Sequence, residues 1–170
     1  MANLPIVLIP GINGSARLYS AQIPSLWRYG PVTIADHTRG ETVQDIAGRI
    51  VASAPPRFTL VGFSFGGYVA FEILRQAGRR VARLALVDTS ARADTPEQSD
   101  RRRERVAMAL DGRFVESLIL QFPLAVHASR RGDEELRQTY ITSVWPTNAE
   151  RRLSSITPGL RYPAPTLAPS

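Results

Sequence analysis

The sequence contains no cysteine, no lysine and only two histidines, His37 and His127. Without Cys there is no disulfide framework, no thiolate-ligated metal and no thiol nucleophile. Two imidazoles cannot build a histidine-rich metal site, so no metal is expected and any imidazole base must be one of the two. No apolar run reaches the length of a membrane span, and the opening residues Met1 to Pro5 carry no basic group of a secretory leader. A soluble, cytoplasmic protein without membrane contact is therefore expected. The missing lysine means that all 21 basic residues are arginine, within a formal net charge of +6. Nine of them face five acids in residues 1–90, and twelve face ten in residues 91–170, so the excess is dispersed. A protein tracking a phosphate backbone gathers its charge into a stripe, and nucleic-acid binding is not expected here. The densest cluster, residues 101–105, includes Glu104 and is flanked by Glu97 and Asp100. It reads as a solvated helix face.

What is present suits one domain with a real core: 170 residues, 44% of them apolar. Four short, nearly continuous apolar runs read as strands: Leu4 to Ile9, Pro31 to Ala35, Phe58 to Val61 and Val81 to Val87. Continuous rather than alternating apolarity suits strands covered on both faces, as in a parallel sheet. Between them, Val43, Ile46, Ala47, Ile50, Val51 and Ala54 form one helical stripe, opened by Thr42 with Asp45 and closed by Pro55-Pro56. Val69, Ala70, Ile73, Leu74 and Ala77 form another, closed by Gly78, and a less regular helix is expected over Leu18 to Trp27. Strand and helix alternate, so crossover units in an α/β sheet are the economical architecture. After Thr89 the pattern changes to a polar connection and then helices over Arg101 to Leu110, Phe114 to Leu120 and Glu134 to Trp145. The last twenty residues carry Pro158, Pro163, Pro165 and Pro169, which forbid a regular helix or central strand.

The chemistry concentrates at Gly62-Phe63-Ser64-Phe65-Gly66-Gly67, where a buried strand stops and a helix begins. Small residues two before and two after the Ser permit a tight, strained turn that lifts its hydroxyl above the strand's carboxyl end. The same turn sets Ser64 at a helix N-terminus, where the dipole and free N–H groups favour developing negative charge. A glycine turn cradling a phosphate is the rival reading. The segment matches neither G-x-G-x-x-G nor a P-loop, whose lysine does not exist in this chain.

Two further segments accompany the turn. Pro10-Gly11-Ile12-Asn13-Gly14 follows the first strand, and Ala35-Asp36-His37-Thr38-Arg39-Gly40 ends the second. Together with the Ser64 turn and the strand from Ala82 to Ser90, they resemble the α/β-hydrolase superfamily, in its small serine esterase, lactonase and haloperoxidase-like members. The resemblance covers about residues 4–145. It implies an α/β fold with about four parallel strands flanked by helices, the first and third in the centre. Residues 1–90 would form the core, 91–147 a helical cap-like segment, and 148–170 an irregular Pro-rich tail. It further implies Ser64 as the catalytic nucleophile and the backbone N–H groups of Ile12 and Phe65 as the oxyanion hole, with side chains little constrained. The expected reaction is hydrolysis of a carboxylic ester, a lactone or a related small acyl substrate through an acyl-enzyme, with no cofactor. Oligomeric state is left open.

Members of this superfamily place an acid and then a base downstream of the Ser. Here no Asp, Glu or His follows Glu150. The expectation is an incomplete, C-terminally truncated α/β-hydrolase fold with an open edge on its last strand. The Pro-rich ending is of the kind that a premature stop or a shifted frame produces. Asp88 and His127 keep the order serine, acid, base and are the substitutes within the chain, although nothing in the spacing aims His127 at Ser64. His37 is expected to line a loop beside Asp36. A serine without its base is a weak nucleophile, so impaired activity is expected. The alternative is a catalytically inactive fragment or binding remnant that keeps the turn.

Overall fold

In a computed structural model, which describes residues 3–143, four parallel strands form a single sheet. They are β1 (Ile6–Ile9), β2 (Val32–Ile34), β3 (Phe58–Phe63) and β4 (Val81–Val87), in the order β2-β1-β3-β4. The first and third strands are central, as expected. Alternation along β1 divides the core: Val7 and Ile9 point to one face, Ile6 and Leu8 to the other. On the first face they meet Phe58 and Leu60 of β3 beneath α2 (Val43–Ser53) and α3 (Phe65–Ala77). The second face is covered more thinly, by Tyr19, Leu18, Ile23 and Leu26.

The long crossover helices arise where the sequence places them. The Thr42 hydroxyl accepts from the Asp45 N–H and caps α2. Its apolar stripe buries Val43, Ile46, Ala47 and Ile50. At the other end of α2, Arg80 replaces the missing helical donors. Its guanidinium donates to the carbonyls of Val51 at 3.0 Å, Ala54 at 2.5 Å and Pro55 at 2.8 Å, and lies over the Phe58 ring. A cation on orphan carbonyls at a helix C-terminus is favourable twice, through hydrogen bonds and through the dipole. Arg80→Ala is expected to cost about 2 kcal/mol, read as a lowered urea midpoint. An unchanged midpoint would show that water replaces the guanidinium without loss.

The structure corrects several boundaries. The helix expected over Leu18 to Trp27 is broken into a 3₁₀ turn (Ala16–Tyr19), a single α-turn α1 (Ile23–Leu26) and another 3₁₀ turn (Trp27–Tyr29). Pro24 has no N–H to give to the preceding turn, so α1 can begin there but cannot continue back. β3 runs through Gly62 to Phe63 rather than stopping at Val61. β4 was expected to be covered on both faces, but its residues from Arg83 onward are exposed, and no strand among the described residues pairs with its outer edge.

Beyond β4 come α4 (Pro96–Leu110), α5 (Phe114–Ala125) and α6 (Glu134–Thr142). α4 starts five residues earlier than expected because Thr95 and Gln98 form a reciprocal capping box, with Pro96 just inside the start. Its Arg102 pairs with Asp94 and reaches the Tyr68 hydroxyl on α3 at 3.4 Å, which ties the segment to the sheet layer. α5 runs on through Pro123 to Ala125, and its Phe122 ring packs 5.7 Å from that of Tyr140 on α6. No helix among the described residues is long and apolar enough to cross a membrane. The tail expected over 148–170, and the end of the helix expected to reach Trp145, lie outside the described residues.

Candidate active site

The carboxyl ends of β1, β3 and β4 meet at one rim of the sheet, and each is followed by a non-glycine residue in the left-handed region. Asn13 has φ 62°, Ser64 φ 51° and Asp88 φ 48°. Such backbone costs energy and persists only where surrounding contacts over-determine it. At Ser64, which has ψ −116°, the determinants are visible. Its N–H donates to the Val87 carbonyl at 2.9 Å, and its own carbonyl accepts from the Gly67 N–H at 2.9 Å. The turn closes only because its flanks lack side chains. A Cβ on Gly62 would stand 2.5 Å from the Gly66 oxygen, and one on Gly66 would stand 2.2 Å from the oxygen of Ile9. Ser64 is thus the N-cap of α3, half-buried, and its hydroxyl has no hydrogen-bond partner among the described residues.

The loop after β1 lies against this turn. Its Gly11 N-terminal flank is so close that a Cβ there would meet the Phe63 ring at 3.2 Å and the Ser64 Cβ at 3.4 Å. A turn closed by the Gly14 N–H on the Gly11 carbonyl, at 2.9 Å, sets Ile12 at the tip with an exposed side chain. Behind it, the Tyr19 hydroxyl donates to the Ile9 carbonyl at 2.9 Å, and burial pushes that phenol up well past its ordinary value. The loop is also joined to α6: Ser15 N–H donates to the Ser143 carbonyl at 3.0 Å. Of the two residues expected to supply donor amides, Phe65 opens α3 directly after Ser64, and Ile12 lies on the loop after β1, whose Gly11 packs against the Ser64 turn. The Ile12 side chain is exposed, whereas that of Phe65 is buried among Ile9, Val69 and their neighbours.

None of the other sequence-derived candidates is hydrogen-bonded to the Ser64 hydroxyl among the described residues. His37 lies in the loop beside Asp36, as expected, but is buried there. It is 5% exposed, with its ring tilted against that of Phe65 at 6.1 Å. Beside it, burial tends to raise the Asp36 carboxyl, but hydrogen bonds from the Thr38 hydroxyl and N–H, with the charges of Arg39 and His37, outweigh this and hold it below its ordinary value. Asp36 is thus committed to its own turn. Asp88 stands exposed after β4. His127 is exposed between α5 and α6, where its Nδ1 accepts from the Ser129 N–H and caps a 3₁₀ turn. Among the described residues it shares no hydrogen bond with Ser64 or Asp88. No cluster of three or more metal-ligating side chains occurs among the described residues. Thr89, which the sequence reading passed over, is the neighbour that does reach the turn: its hydroxyl donates to the Ser64 carbonyl at 2.8 Å. It lies 25 residues from Ser64, and no spacing rule points to it.

Comparison with known proteins agrees with this fold. A family model described as a thioesterase domain matches residues 4–145. Similar solved structures include an enol-lactonase from Burkholderia xenovorans, at 19% identity and TM-score 0.71. That match covers 91% of this chain and 64% of the other. A thermophilic esterase from Thermogutta terrifontis is similar at 22% identity and TM-score 0.66, over 90% of this chain and 61% of that one. A hydrolase from Pseudomonas aeruginosa is similar at 19% identity and TM-score 0.69, over 97% and 65%. At these identities the likeness is one of fold, and the chain spans a little under two thirds of each neighbour's length. No match was found among curated proteins. The strained serine turn on a parallel sheet and the family match over most of the sequence lead to one conclusion: the chain belongs to the thioesterase-domain family, within the α/β-hydrolase superfamily.

Proposed function

We propose that this chain is an acyl hydrolase in which Ser64 is the nucleophile, acting on a small carboxylic ester, lactone or thioester. The observation that carries the reading is the left-handed Ser64 at the head of α3, with its hydroxyl unengaged among the described residues. In this mechanism the Ser64 oxygen bonds to the substrate carbonyl carbon, and the N–H groups of Ile12 and Phe65 hold the resulting oxyanion. Two such donors are worth several kcal/mol of barrier. The carbon–oxygen or carbon–sulfur bond then breaks, and the alcohol or thiol leaves. Water attacks the acyl-enzyme, releasing the acid and restoring the hydroxyl. The helical segment α4–α6 acts as a cap that shapes the acyl pocket and excludes water.

The serine proton needs an acceptor. No imidazole or carboxylate among the described residues is hydrogen-bonded to Ser64. Loss of a triad base lowers turnover by several orders of magnitude while oxyanion stabilisation remains. Stoichiometric acylation with slow release is the expected behaviour.

A fluorophosphonate probe tests this directly. The serine oxygen displaces fluoride from phosphorus, leaving a stable adduct that needs no second step. The full chain is expected to label at one site, and Ser64→Ala is expected to abolish it while keeping the same thermal transition. Absence of labelling in the wild-type chain would favour a remnant that keeps the turn without its chemistry.

A further inference from the structure

We propose that Thr89 is a positioning residue that fixes and polarises the peptide joining Ser64 to Phe65; this rests on the hydrolase reading above. That peptide has two ends with different tasks. Its N–H, on Phe65, is the oxyanion donor; its carbonyl, on Ser64, accepts the Thr89 hydroxyl at 2.8 Å and the Gly67 N–H at 2.9 Å. A carbonyl that accepts hydrogen bonds makes the N–H of the same amide a stronger donor. The contact therefore acts on the oxyanion hole from behind, without Thr89 touching substrate.

The surrounding structure is arranged for that contact. Asp88, left-handed at φ 48°, turns the chain after β4 so that Thr89 folds back over the head of α3. Gly67 leaves the notch that receives it. A Cβ at position 67 would lie 2.2 Å from the Thr89 oxygen and 2.5 Å from its methyl carbon. The Ser64 N–H is held from the same strand end by the Val87 carbonyl at 2.9 Å. Val87 and Thr89 thus clasp the strained residue on both sides. Strained backbone at Ser64 is relieved most simply by rotation of the following peptide, which would swing the Phe65 N–H away from the reacting carbonyl. Two donors on the Ser64 oxygen oppose that rotation, and one of them is a side chain that mutation can remove.

The test compares Thr89→Val, which keeps the shape and loses the donor, with Thr89→Ser, which keeps the donor and loses the methyl. With the fluorophosphonate probe, Thr89→Val is expected to lower the maximal labelling rate by about tenfold, with apparent probe affinity within about twofold. Thr89→Ser is expected to restore the rate. The amide nitrogen shift of Phe65 reads the same hydrogen bond without any reaction. It is expected to move in Thr89→Val and to return in Thr89→Ser. Wild-type labelling rates in Thr89→Val, or equal slowing in both variants, would overturn the proposal, the latter by assigning the effect to the methyl group. An unmoved Phe65 shift would overturn it as well. If Thr89→Val does not fold, Thr89→Ala against Thr89→Ser makes the same comparison. A wild-type chain that does not label refutes the hydrolase reading instead, and the Phe65 shift still decides whether Thr89 holds the peptide.

Discussion

Gly66→Ala is expected to destabilise the fold by about 3 kcal/mol or more. The added carbon would sit 2.2 Å from the Ile9 oxygen and 2.7 Å from the Pro10 oxygen. Overpacking in most cores is relieved when a neighbouring side chain changes rotamer. Here the obstacle is backbone at the end of a central strand. The Ile9 carbonyl cannot simply retreat, because the Tyr19 hydroxyl holds it at 2.9 Å and its strand is paired on both sides. Helix α3 must lift instead, pulling Phe65 and Val69 out of the core they share with Ile9. Urea unfolding monitored by far-ultraviolet circular dichroism would measure the loss. A change below about 1 kcal/mol would mean that the sheet and helix separate more easily than this close approach implies.

Ser64→Gly is expected to do two opposite things at once. It removes the hydroxyl, so probe labelling disappears. It also removes the Cβ from a residue at φ 51° and ψ −116°, a conformation whose strain costs roughly 1–3 kcal/mol for residues other than glycine. Part of that relief is offset, because glycine gains more freedom in the unfolded chain, by about 0.5–1 kcal/mol. A net gain of about 1 kcal/mol is expected, against little change in Ser64→Ala, which keeps the Cβ and therefore the strain. The difference between the two variants isolates the backbone term from the loss of the hydroxyl. If Ser64→Gly is no more stable than Ser64→Ala, the Ser64 turn stores no strain worth measuring.

Much of the sheet layer was readable from local pattern. The stripe from Val43 to Ala54, with Thr42 before it and Pro55 after it, became an eleven-residue helix with Thr42 as its cap. The Ser64 turn was readable because glycine at both flanks has few other uses at a strand–helix junction. The central places of β1 and β3 came from resemblance to a fold rather than from periodicity. What local pattern missed depends on contacts distant in sequence. His37 lies in the expected loop beside Asp36, but its burial follows from Phe65, which approaches it across 28 positions. The early start of α4 was legible in principle, since Thr95 and Gln98 have capping-box spacing, but Pro96 reads equally well as part of a polar connection. Continuous apolarity along β4 misled in another way. It reports a strand able to be covered on both faces, and the described residues cover little of it. At the site, the two proposed main-chain donors carry no side-chain signature at all, and Thr89 is hydrogen-bonded to a carbonyl 25 residues away.

The bond from the Ser15 amide to the Ser143 carbonyl joins points 128 positions apart in the chain. It makes the last turn of α6 the neighbour of the loop that presents Ile12. When the three outer helices lift away, this amide loses its acceptor first, while the amides within β1 and β3 keep theirs. Hydrogen–deuterium exchange at that single position therefore clocks how often the outer helices breathe, separately from any melting of the sheet beneath them.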